Sequence, residues 1–128
     1  MKKTFKPQIY NSLSPYLMVN DAKGLVELLK IIFDAKELRS FEHENGTLAH
    51  TELLIDDSVL MLSEATKEYP AQKTMLHLYV PDVIKTFELA IKNGCKEIDY
   101  PTTRENDPDC RGAFEDFAGN YWAVSTQK

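Results

Sequence analysis

The sequence predicts an α+β fold made from two copies of one βαβββ unit, and three observations carry that reading. Leu17, Val19, Asp21, Glu27 and Leu28 return as Leu78, Val80, Asp82, Glu88 and Leu89, each 61 residues on, and Lys36-Glu37 returns as Lys96-Glu97 after a one-residue slip. A fixed offset of this kind marks a duplicated structural unit. Each copy also holds one stretch with apolar residues at helical spacing, such as Leu25, Leu28, Leu29 and Ile32. The stretches around it alternate apolar with polar residues, as half-buried strands do. With 128 residues and 43% of them hydrophobic, the chain can build the core of a single domain. Unit one is assigned to 12–64, the linker to 65–73 and unit two to 74–127.

The elements follow in order. Residues 14–20 read as a strand, and Asn20 or Asp21 caps the helix that follows. Residues 36–41 form the second strand, and His43-Glu44-Asn45-Gly46 is a turn, since Asn-Gly tolerates positive φ. Residues 50–55 and 58–63 are strands joined by Asp56-Asp57, a two-residue hairpin. In the second unit, 74–80 is a strand and Pro81-Asp82 opens a helix that ends near Asn93 with Gly94 just beyond it. Residues 96–100 are a strand. The stretch 101–109 holds two prolines and reads as a long loop, a candidate lid. Residues 111–116 and 121–126 form the closing hairpin around Phe117-Ala118-Gly119-Asn120.

Composition excludes some functions. The net charge is −5 and the basic residues are scattered, which argues against nucleic acid as a partner. The longest largely apolar stretch, near Leu28 to Phe33 and broken by Lys30, is far too short to span a bilayer, and no apolar signal core follows the basic start. A cytoplasmic protein with no membrane partner is the expectation, with Cys95 and Cys110 as free thiols. There is no Ser-His-Asp or Cys-His arrangement and no glycine-rich phosphate loop.

Several local patterns join the repeat. Glu115-Asp116-Phe117-Ala118-Gly119-Asn120-Tyr121-Trp122 resembles the closing turn of the vicinal oxygen chelate superfamily, the glyoxalase, bleomycin-resistance and dioxygenase group. Asp109-Cys110-Arg111-Gly112-Ala113-Phe114 resembles the strand before that turn. Ser14-Pro15-Tyr16-Leu17 and the stretch 55–63 are most similar to the PhnB-like branch. The resemblance covers about residues 12–127 and departs at Phe117-Ala118, where the family usually places proline first. It implies the glyoxalase/bleomycin-resistance fold, in which the two units form one curved mixed sheet enclosing a pocket. It also implies a homodimer.

Strand alternation then sorts the residues. Leu17, Val19, Leu53, Leu60, Leu62 and Trp122 face the core. Tyr16, His50, Glu52, Met61, Met75, His77, Tyr79, Arg111 and Tyr121 face the pocket and are the candidate ligand-binding residues. Metal-dependent members of the family take one ligand from the first and last strand of each unit. The resemblance places those ligands at Ser14, Met61, Met75 and Ala123. A hydroxyl, two thioethers and a methyl group are not what divalent ions require, so no metal cofactor is expected.

Other readings stay open. His50, Glu52 and His77 are either a relocated metal centre or a polar lining with Glu52 paired to Arg111 or to a histidine. The lining is the commoner use of such groups in clefts. Arg111 either clamps an anionic ligand group or pairs with Glu52 or Glu115. The three tyrosines either stack on a planar ligand or fill the barrel mouth. Met61 and Met75 read as adaptable apolar lining, and His43 as solvated. The resulting function is a small-molecule binding protein without the usual metal site, in resistance or sequestration. The alternatives are a metal-dependent lyase, isomerase or dioxygenase with relocated ligands and Glu52 or Glu115 as base, and a bleomycin-type drug-binding protein.

Overall fold

The computed structural model describes residues 4–128; the basic start at Met1–Lys3 lies outside them. The order is β1(Tyr16–Val19), α1(Ala22–Phe33), β2(Lys36–Glu42), β3(Leu48–Ile55), β4(Ser58–Glu64), β5(Met75–Tyr79), α2(Val83–Lys92), β6(Lys96–Thr103), β7(Asp109–Glu115) and β8(Tyr121–Gln127). This is βαβββ twice, as the repeat predicts.

Each unit makes its own four-stranded mixed sheet, ordered β1-β4-β3-β2 and β5-β8-β7-β6. In each, the first strand runs parallel to the last and the other pairs are antiparallel. The expected single curved sheet is therefore two ladders, and one core joins them. Phe33 at the end of α1 reaches across the units to Trp122 and Phe114, with ring centroids 4.9 and 6.0 Å away. Leu17, Leu25, Leu53 and Leu62 of unit one share that core with Phe87, Phe114 and Val124 of unit two. Both sheets turn one face to the helices and leave the other open.

The last strand of each unit anchors that unit's helix. The Glu64 carboxylate accepts from the backbone N–H groups of Asp21 and Ala22, at 3.0 and 2.9 Å. Thr126 takes the same place in unit two, accepting from Val83 N and donating to Val80 O. The caps are Asp21 and Asp82, each accepting from the N–H three residues on, and Gly94 follows α2 at φ +95°.

The expected loop at 101–109 is shorter than its prolines suggest. Strand β6 continues to Thr103 and β7 begins at Asp109. The ladder shifts between Asp99 and Thr102, so Pro101 sits in a bulge where it owes no N–H to β7. Its ring packs on Gly112, where a Cβ would lie 2.8 Å from Pro101 Cγ and 3.1 Å from the Asp99 carbonyl oxygen. Gly112→Ala is expected to cost about 1–3 kcal/mol by overpacking, read as a lower urea midpoint.

Cys95 and Cys110 are free thiols. Burial and the nearby Asp116 push the Cys95 thiol up to about 11. With the chain folded, a disulfide reagent near neutral pH is expected to modify Cys110 and leave Cys95 until denaturant exposes it.

Candidate functional site

The open face of the first sheet carries one connected polar chain. The register sets Met61 between Tyr16 and Glu52, and places Arg39 beside Glu52 and Phe41 beside His50. Glu52 is 6% exposed. It accepts from the Tyr10 hydroxyl at 2.5 Å, and its second oxygen lies 2.7 Å from His50 Nε2. His50 Nδ1 meets the Tyr16 hydroxyl at 2.8 Å, and that hydroxyl meets Ser63 Oγ at 2.6 Å. The bonds form one continuous chain, with His50 Nε2 donating to Glu52 and the Tyr16 hydroxyl bridging His50 Nδ1 and Ser63 Oγ. Arg39 adds its charge 3.7 Å from Glu52.

Burial raises the Glu52 pKa, but hydrogen bonds from Tyr10 and His50 and the charges of His50 and Arg39 outweigh it, holding the carboxyl below the ordinary glutamate range. Burial pushes the Tyr10 phenol up, and its bond to Glu52 adds to the rise. Beside this chain lies a row of rings. His50 stands 5.4 Å from Tyr16 and 6.5 Å from Phe41, and Tyr16 and Phe41 are 48% and 59% exposed. A cavity of about 620 Å³ opens at the Tyr16 end, lined by Met18, Ser63, Tyr69 and Gln72 among others.

The open face of the second sheet holds a separate group. His77 Nε2 lies 2.9 Å from Ser125 Oγ, and the Tyr79 hydroxyl donates to Asp109 at 2.8 Å. Arg111 donates through Nε to Asp107 at 2.7 Å and places Nη2 3.1 Å from Asp109. Both expected Arg111 partners are thereby corrected. Neither Glu52 nor Glu115 holds the guanidinium; two aspartates neutralise it, so a free anion clamp is not formed. The Asp109 N–H first, and Arg111 second, hold the Asp107 carboxyl below its usual range. Met75 and Tyr79 are 72% and 58% exposed. Tyr121 stands between Met75 and Glu115 in register.

Among the described residues, the two groups share no hydrogen bond, ion pair or ring contact. The relocated metal centre does not assemble within one chain: His50 and Glu52 bond each other on one sheet, while His77 bonds Ser125 on the other. No cluster of three or more His, Cys, Asp or Glu stands placed to hold a metal among the described residues. The family's four metal positions do not fit an ion either. Ser14 precedes β1, Met61 lies beside Tyr16, Met75 beside Tyr121, and Ala123 beside His77. One serine hydroxyl, two thioethers and a methyl group offer no hard donor set. No helix is long and apolar enough to cross a membrane.

Sequence reasoning missed Tyr10, Arg39, Phe41, Asp107 and Asp109. Arg39 and Phe41 were findable, because β2 alternates in step with Glu52 and His50 on β3. Tyr10 carried no periodic signal.

Acid stability should report these carboxylates. A carboxyl lowered by folding stabilises fully above its unfolded value, which is 4.5 for Glu52 and 3.8 for Asp107. That stability is lost as pH falls through the folded values. Urea midpoints are therefore expected to drop as the pH is lowered below 4.5. Glu52→Gln should lower the neutral midpoint and shrink the acid drop.

No family model matches the sequence. An uncharacterized protein of Mycobacterium bovis is 29% identical over 126 residues, covering 88% of this chain and 81% of the relative. A solved member of the glyoxalase/bleomycin resistance protein/dioxygenase superfamily from Sphaerobacter thermophilus superposes on the chain with TM-score 0.69 at 11% identity, over 89% of this chain and 94% of the other. TioX from Micromonospora matches with TM-score 0.77 at 16% identity, over 92% of this chain and 99% of the other. TnmS3, an antibiotic binding protein from Streptomyces, matches with TM-score 0.72 at 16% identity, over 96% and 100%. The fosfomycin resistance protein FosX from Listeria monocytogenes, complexed with Mn(II) and sulfate, matches with TM-score 0.71 at 16% identity, over 92% and 90%. The chain has the glyoxalase/bleomycin-resistance fold.

Proposed function

We propose that this chain is a small-molecule binding protein that holds a flat, largely apolar ligand against the open faces of its sheets and needs no resident metal. The observation that carries this is the composition of those faces. Exposed rings and thioethers surround polar chains whose members already satisfy one another. Such a surface binds by stacking and burial, with a few fixed polar groups setting orientation. The PhnB-like affinity of residues 14–17 and 55–63 belongs to the same reading.

The reading includes a homodimer. Met75, Tyr79, Tyr16 and Phe41 leave apolar surface exposed on both open faces, and a second copy would cover it. Set against the partner's second sheet, the Tyr16–His50–Phe41 row would make one face of a two-sided site. The likeness to TnmS3 supports an antibiotic-like ligand in resistance or sequestration, through the fold alone.

The test is a thermal-shift and calorimetric screen of planar aromatic antibiotics, alongside sedimentation equilibrium. The expected outcome is a dimer that binds at least one planar aromatic compound without added metal. A monomer that binds none, or binding that appears only with a stoichiometric divalent ion, would overturn it.

A further inference from the structure

Among the described residues, Tyr10 makes the one hydrogen bond that ties the segment 4–14, ahead of β1, to the open face of the first sheet. Among the described residues, 4–14 make no backbone hydrogen bond to a strand or helix; their one backbone bond runs from Tyr10 N to Pro7 O. The Lys6–Ser12 bond stays within the segment. Phe5, Ile9 and Leu13 remain 87%, 60% and 87% exposed, so the segment buries little apolar surface. Ile9 sits at φ +69°, a conformation that a β-branched side chain resists. Against this, Tyr10 alone is well held. Its hydroxyl donates to Glu52 and its ring lies 5.3 Å from the Arg39 guanidinium carbon.

Tyr10 is thus a phenol seated in a prepared site. Glu52 supplies a nearly buried carboxylate acceptor, and Arg39 supplies a cation over the ring. The chain Glu52–His50–Tyr16 leads from that seat to the exposed ring row. We infer that the seat is a binding site for hydroxyl-bearing planar aromatic compounds, which the chain fills with its own Tyr10 until such a ligand displaces it. This rests on the open face being the ligand site. A tethered side chain competes at a local concentration in the millimolar range for a short flexible link. Removing its hydroxyl therefore strengthens ligand binding, and a ligand without a donor gains nothing from Glu52.

The experiment compares 2-naphthol with 2-methoxynaphthalene, the same ring system without the donor. Both are titrated by fluorescence against the full chain and against Tyr10→Phe and Tyr10→Ala. The charge-assisted bond lost by Tyr10→Phe sets an expected gain of about tenfold in 2-naphthol affinity, with 2-methoxynaphthalene changed far less. In the unsubstituted chain, 2-naphthol should also shift the ring NMR signals of Tyr10 away from their seated positions. If both probes bind all three proteins with equal affinity, the displacement is wrong while the open-face site survives. If neither probe binds any of the three, this inference and the ligand-site reading fall together.

Discussion

Replacing Asp116 with alanine is expected to lower stability by about 3–5 kcal/mol, among the largest single losses the chain can suffer outside its apolar core. The carboxylate is 4% exposed. It accepts from the backbone N–H groups of Ala118 and Asn120, at 2.9 and 3.0 Å, from the Asn120 amide, and from Trp122 Nε1 at 2.8 Å. Asn120, fully buried, passes the connection on by accepting from Thr74 N at 3.0 Å. One side chain therefore shapes the β7–β8 turn, orients the tryptophan on which Phe33 packs, and holds the start of β5. Alanine would leave at least three buried donors without an acceptor, each costing about 1–3 kcal/mol where water cannot reach. Asp116→Asn keeps the shape but turns a donor toward Trp122 or Asn120, so an intermediate loss is expected. Urea unfolding of the two variants checks this. A loss under about 1 kcal/mol for Asp116→Ala would mean the turn holds without its carboxylate.

Tyr16→Ala is expected to weaken binding of a planar aromatic ligand by about 10–100-fold, the combined effect of a lost stacking partner and lost apolar burial. Tyr16 heads the exposed ring row and bonds both His50 and Ser63, so its removal also frees the imidazole. Tyr16→Phe separates the two roles, since it keeps the ring and loses both hydrogen bonds. If stacking dominates, Phe retains most of the affinity; if His50 orientation dominates, Phe resembles Ala. Isothermal titration of the three proteins with one compound from the antibiotic screen gives the comparison. Equal affinity across all three would remove the first sheet from the ligand site.

Much of the fold was legible because its signals are local. The two-residue turn at Asp56-Asp57 set the hairpin register, and the pairs Leu54–Val59 and Glu52–Met61 form as alternation requires. Asp82 and Gly94 bound α2 for reasons of capping and positive φ that need no tertiary context. The repeat carried the pattern from one unit to the other, down to Ala123 beside Ala113 where Met61 stands beside Glu52. What stayed hidden depends on distance. Whether two units share one ladder depends on which strand edges meet, and the observed orders β1-β4-β3-β2 and β5-β8-β7-β6 are not contained in the pattern within any one strand. Pro101 read as a strand breaker because the bulge that accommodates it forms only when Gly112 lies opposite. The Arg111 partners come from the turn at Asp107 and from Asp109, positions that alternation across strands does not compare. Tyr10 reaches Glu52 across 42 residues of sequence from an irregular segment, so nothing short of the folded chain joins them.

The most direct measurement places a ligand on the chain through its methionine methyl groups. Met18, Met61 and Met75 sample the two open faces, and each methyl signal can be assigned by substitution in protein labelled with ¹³C at the methionine methyls. Titration with the tightest planar aromatic compound from the screen, without added metal, should shift Met61 and Met75 and saturate with the calorimetric affinity. Saturation of the calorimetric signal with the methyl signals of Met18, Met61 and Met75 all unmoved would contradict a ligand site on the open faces.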